Sequence, residues 1–153
     1  MTADLARLLA AMQRPGLMSV CHRGEDMAFK TAVVDAREAA AYAARVAAGE
    51  ADVWISVARV AGPARENQGR GTATDVLGLT ALPLDLDIKP GGMPNWGSAN
   101  AVVADLSSLV GREPAVLVNS GHGLQPWFIL DSGDEQWSCD GPDDPRGRAM
   151  AAL

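Results

Sequence analysis

Ala81-Leu82-Pro83-Leu84-Asp85-Leu86-Asp87-Ile88 is the stretch on which the fold turns. It is apolar except for two aspartates spaced two apart, and it reads as one strand over residues 81–88. Side chains alternate along a strand, so Asp85 and Asp87 share one face and Leu84, Leu86 and Ile88 take the other. A turn-rich loop follows over 89–97. Ser98 is the expected cap of a helix whose Val102, Val103, Leu106, Leu109 and Val110 form one apolar face, closed by Gly111. A strand over 114–119, a tight turn at 120–123 and a returning strand over 124–130 complete a hairpin. Pro126 cannot donate to a ladder, so it marks an edge or a gap in the pairing. The order is strand, helix, strand, strand.

Upstream, Leu5, Leu8, Leu9 and Met12 recur at helical spacing. Short strands are expected at 17–21 and 27–34. Asp35 caps an alanine-rich helix that reaches Ala48, and a strand follows over 53–60. Residues 62–74, Gly-Pro-Ala-Arg-Glu-Asn-Gln-Gly-Arg-Gly-Thr-Ala-Thr, form a polar loop. The expected fold class is therefore α/β (α+β), in two parts: an αβ unit over 1–75 and a second unit over 76–153.

The chain has 153 residues, 48% hydrophobic and 21% charged, which fits one globular domain and argues against disorder. No run approaches the ~18 apolar residues of a membrane span, and the start reads as a helix, not a leader. Cys21 and Cys139 are too few for a disulfide framework and lack zinc spacing, so a cytoplasmic setting is expected. The net charge of −6, taken as a total, is unsuited to a nucleic-acid partner. Its distribution changes that reading. Asp131, Asp134, Glu135, Asp140, Asp143 and Asp144 carry the whole excess, and the rest of the chain is balanced.

Two carboxylates side by side on an apolar strand repel each other, and a hard divalent cation such as Mg²⁺ or Mn²⁺ relieves that repulsion. Metals held this way also bridge phosphates. The alternative is a pair of solvated aspartates on the open side of a two-layer sheet. The turn Ser120-Gly121-His122-Gly123 offers backbone N–H groups to an anion, and His122 can donate to a phosphate or move a proton. Read blandly, it is a hairpin turn. The four tryptophans read mainly as packing residues, with base stacking as the other use.

Three segments, 69–92 (GRGTATDVLGLTALPLDLDIKPGG), 96–111 (WGSANAVVADLSSLVG) and 114–130 (PAVLVNSGHGLQPWFIL), together resemble the archaeo-eukaryotic primase superfamily, in its phage and plasmid primase–polymerase branch. The resemblance implies a two-layer primase–polymerase fold whose second unit is RRM-like. It implies a DNA primase/polymerase that makes primers from nucleoside triphosphates on single-stranded DNA, in a bacterial or phage-infected cell, beside a helicase domain or protein. Asp85 and Asp87 would hold Mg²⁺ or Mn²⁺. Ser120, Gly121, Gln125, Lys89 and Arg70 would bind the nucleotide, with His122 as a catalytic group.

The chain departs from the family pattern twice. The family's histidine after the glycine turn is Gln125 here, with His122 three residues earlier. A third acidic residue on a later strand is missing, since Asp131 comes too soon. The expectation is an N-terminal piece of a longer enzyme, incomplete at its C-terminus. Two other classes stay open: a non-catalytic nucleotide- or single-strand-binding module, and a different DxD enzyme such as a nucleotide-sugar transferase.

Overall fold

β-branched and apolar residues from Leu17 onward build an antiparallel sheet in the computed structural model, which describes residues 3–12, 16–25, 27–49, 52–130 and 144–145. β1 (Leu17–Arg23) and β2 (Phe29–Asp35) form a hairpin, with Leu17 opposite Asp35 and Arg23 opposite Phe29. β3 (Asp52–Val60) lies on the other side of β1. The two-residue β4 (Arg65–Glu66) pairs with β2, and β5 (Val76–Leu79) pairs with β3. The strand order is β4-β2-β1-β3-β5.

Helix α2 (Ala36–Ala47) connects β2 to β3 and covers one face of this sheet. Val20, Ala32 and Val34 from the strands meet Ala39 and Ala43 from the helix, with Tyr42, Val53 and Ile55 at the margin. Alanines on this face let the helix backbone lie close to the strands. Helix α1 (Ala3–Ala11) packs on α2 and leads to Leu8, Leu9 and Met12 in buried positions. Trp54 alternates with Val53 and Ile55, points away from that core, and is 45% exposed.

Asp35 ends β2 and caps α2. Its Oδ1 accepts the Arg37 backbone N–H at 2.9 Å, and the Arg37 guanidinium donates to both carboxylate oxygens at 2.9 and 3.0 Å. These bonds, the Arg37 side chain first, hold the Asp35 carboxyl at about 2, against an ordinary 3.8. A carboxyl lowered by folding stabilises the fold above its unfolded value, and that stabilisation is lost as pH falls through the folded value. Acid unfolding followed by circular dichroism should therefore show a component between about pH 4 and pH 2 that is absent in Asp35→Asn. Identical acid curves for the two proteins would contradict it.

The second unit spans Ala81–Ile129. The expected boundary at residue 75 is corrected, because β5 pairs with β3 and so belongs to the first sheet. Leu130 also belongs to the first unit, where its N–H donates to Thr80 O at 3.0 Å. The single strand expected over 81–88 is two segments, β6 (Ala81–Pro83) and β7 (Leu86–Asp87). Both pair antiparallel with β9 (Gly123–Ile129), and β8 (Val116–Asn119) pairs with its other side.

The register is the same on both sides of the break: Ala81 faces Ile129 and Leu86 faces Leu124. The interruption sits at Pro126. Its carbonyl accepts the Leu84 N–H at 3.1 Å, but it has no N–H to return. Pro126 thus makes a gap in a central strand.

Helix α3 (Trp96–Val110) covers one face of this sheet. Its cap is Asn95, whose side chain accepts the Ser98 N–H at 2.9 Å, so Ser98 receives the cap and does not supply it. Gly111 closes the helix in the left-handed conformation, φ +75°. The buried stripe is Ala99, Val103 and Ser107, narrower than the expected apolar face, and Leu109 is 82% exposed. Both units mix helices with antiparallel strands, an α+β class. No described helix is long and apolar enough to cross a membrane. Residues 131–143 of the acidic segment, with Trp137 and Cys139, lie outside the described residues.

Candidate functional site

Leu86 is buried under α3 with Leu124, Ala99 and Val103. Its neighbours Asp85 and Asp87 consequently lie on the face that α3 leaves uncovered. Continuing the register through the Pro126 gap sets Asp85 opposite Gln125, and Gln125 Nε2 donates to Asp85 Oδ1 at 3.2 Å. Asp87 is held differently. Lys89 follows two residues later, and its Nζ donates to Asp87 Oδ2 at 2.5 Å. The Asp87 carboxylate first, and the Asp85 charge after it, raise the Lys89 ammonium above the ordinary lysine range.

Glycine fixes the backbone of Asp87 from two sides. Gly123 pairs with Asp87, and a Cβ on Gly123 would meet the Leu86 carbonyl oxygen and lie 2.9 Å from Asp87 Cα. A Cβ on Gly92 would lie 2.5 Å from Asp87 O, the same oxygen that accepts the Met93 N–H at 2.8 Å. Ile88 N–H donates to His122 O at 2.8 Å, which ties the DxD segment to the hairpin tip.

The tip is a polar turn closed on itself. Asn119 Oδ1 accepts the Gly121 N–H at 2.9 Å, and Ser120 Oγ accepts the His122 N–H at 3.3 Å. Ser120 N–H and Oγ both donate to Gly123 O. The expectation of free amides waiting for a phosphate is therefore corrected: an anion at Gly121 and His122 has to displace the Asn119 and Ser120 side chains. The His122 side chain is exposed beside them.

The structure thus brings Asp85, Asp87, Lys89 and Gln125 together, with Ser120, Gly121 and His122 at the adjoining tip. Arg70 belongs to the first unit. There it lines a cavity of about 460 Å³ with Ser19, Ser56 and Thr72. Ser19 Oγ donates to Arg70 O, and Thr72 N–H donates to Asp75 Oδ2 at 2.6 Å, so this loop is ordered by its own polar groups. Cys21 is buried. Burial pushes its thiol up and the Arg70 charge partly offsets that.

Among the described residues no group of three or more His, Cys, Asp or Glu side chains is placed to hold a metal. Asp85 and Asp87 supply a two-carboxylate, hard-oxygen donor set. That matches Mg²⁺, which takes one or two protein carboxylates and completes its shell with water and phosphate oxygens. The Lys89 ammonium already neutralises Asp87.

Sequence reading passed over two features. Asp-x-Lys on one strand face is a spacing that signals the Lys89 pairing. Packing alone shows the other: Trp54 and Phe29 stack with ring centroids 5.5 Å apart, and the Arg23 guanidinium lies 5.7 Å from the Trp54 ring centroid. Trp96 is also 41% exposed. No family model, curated protein or solved structure matches this chain, so the functional reading rests on its own residues.

Proposed function

We propose that this chain acts as a DNA primase/polymerase of two-layer primase–polymerase fold, which joins nucleoside triphosphates into primers on single-stranded DNA. The observation that carries the reading is the pairing of Asp85 with Gln125 and of Asp87 with Lys89 beside a glycine hairpin. Carboxylates, an amide and an ammonium on one open sheet face are the groups a metal–triphosphate complex needs.

Asp85 and Asp87 would hold Mg²⁺ or Mn²⁺, which when bound would supply Lewis acidity toward a 3′-hydroxyl and screen the triphosphate charge. Gln125 orients Asp85 and remains neutral, so it steers a carboxylate or a sugar hydroxyl without adding charge. Lys89 neutralises phosphate as a flexible point charge. Ser120 and Gly121 bind phosphate once their internal bonds open, and His122 serves as donor or proton carrier at the exposed tip. The setting proposed is the cytoplasm of a bacterial or phage-infected cell, with a helicase domain or protein as partner.

A second reading is a nucleotide- or single-strand-binding module without turnover, favoured by the two-carboxylate donor set. Labelled nucleotide, Mn²⁺ and a single-stranded template separate the two. Template-dependent product is the expected result. Nucleotide bound without product supports the binding module, and neither binding nor product removes both readings.

A further inference from the structure

The Lys89–Asp87 pair does more than neutralise charge. Its ammonium nitrogen is 2.5 Å from Asp87 Oδ2, one of the two oxygens of a proposed metal ligand. A divalent cation on the Asp87 carboxylate and an ammonium at that distance repel each other, so each weakens the binding of the other. The Asp87 backbone is approached closely by Gly92 and Gly123, where an added Cβ would collide with it. The Lys89 side chain can move aside, being 62% exposed on a flexible four-carbon stem.

We propose that Lys89 is a hand-over residue: it occupies the cation position on Asp87 while the site is empty of metal, leaves when metal binds, and moves its charge to the triphosphate. The inference rests on the metal-site reading above and adds the coupling between the two ligands. Removing the ammonium from Asp87 costs metal affinity. Nucleotide, by giving the ammonium a new partner, recovers it, and by linkage metal favours nucleotide to the same extent. Lys89 is a positioning residue here, acting on metal through Asp87.

Mn²⁺ binding by the full chain, followed by electron paramagnetic resonance with and without dATP or ATP, tests this. In Lys89→Met, Mn²⁺ without nucleotide should bind about threefold to fivefold tighter, the scale of one exposed ion pair. With saturating Mn²⁺, triphosphate should bind about fivefold to tenfold weaker, because a charge-assisted contact is lost. Nucleotide should strengthen Mn²⁺ binding by a smaller factor than in the parent, because only direct phosphate ligation of the metal remains. Lys89→Arg should keep the coupling.

A bystander charge would tighten Mn²⁺ equally with and without nucleotide, and that result overturns the proposal. So does unchanged or weakened Mn²⁺ binding in Lys89→Met. Asp85→Asn/Asp87→Asn separates the two levels. If that variant binds Mn²⁺ like the parent, the metal site itself is wrong. If it loses Mn²⁺ while Lys89→Met behaves like the parent, only the hand-over is wrong.

Discussion

Asp85→Asn/Asp87→Asn is expected to abolish Mn²⁺ binding and to lower nucleotide incorporation about a thousandfold, the equivalent of ~4 kcal/mol of charge stabilisation. Asparagine has nearly the same shape as aspartate but lacks the charge that holds a divalent ion. The fold should survive, because Asp85 is exposed and the Asp87 side chain is one-third exposed. The only described ion pair lost is Lys89–Asp87, an exposed contact that contributes little to stability. Circular dichroism and a thermal melt should therefore match the parent. Loss of Mn²⁺ binding together with a collapsed melt would leave the metal effect indistinct, so Asp85→Asn alone is the companion variant. It leaves the Lys89 pair intact and should still weaken Mn²⁺ binding by about tenfold or more.

Gly123→Ala should be the most damaging single-methyl change in the second unit. The added carbon would press on the Leu86 carbonyl and lie 2.9 Å from Asp87 Cα, where backbone and not a flexible side chain must give way. Overpacking of this kind costs about 2–3 kcal/mol, or roughly 5–10 °C in the melt. Because β7 is only Leu86–Asp87, a shift there also displaces the carboxylates, and Mn²⁺ binding should fall with stability. Gly121→Ala is the contrast. Its φ of +82° strains an alanine by about 1–2 kcal/mol, but nothing lies within 4 Å of the new carbon. It should lose stability while keeping Mn²⁺ binding. Equal stability of Gly123→Ala and the parent would show that β7 does not press on Gly123.

Some of the site was legible because it depends on neighbours in sequence. Asp85 and Asp87 share a face because they are two apart on an extended segment, and Leu86 between them must be buried. The hairpin was legible from Ser120-Gly121-His122-Gly123 between two apolar runs. The same spacing rule contains Lys89, two residues beyond Asp87, although side-chain length and rotamer decided which oxygen it reaches. Pro126 announced a missing donor, but only its partner strand located the loss opposite the Leu84–Asp85 break.

What the sequence determined by itself is therefore local. Alternation places Val20, Ala32 and Val34 on one face, Asp35 caps α2 through the adjacent Arg37, and Gly111 closes α3 through its own φ. These follow from backbone geometry over a few residues. Tertiary structure decided whatever depends on the far side of a contact. It set β5 in the first sheet, left Leu109 exposed on a helix that buries only a narrow stripe, and filled the turn amides with Asn119 and Ser120. It also brought Gln125 across forty positions to Asp85. Periodicity tells which side of an element is apolar. The identity of the facing group, and with it the charge, the hydrogen bond and the available space, exists only once the strands are paired.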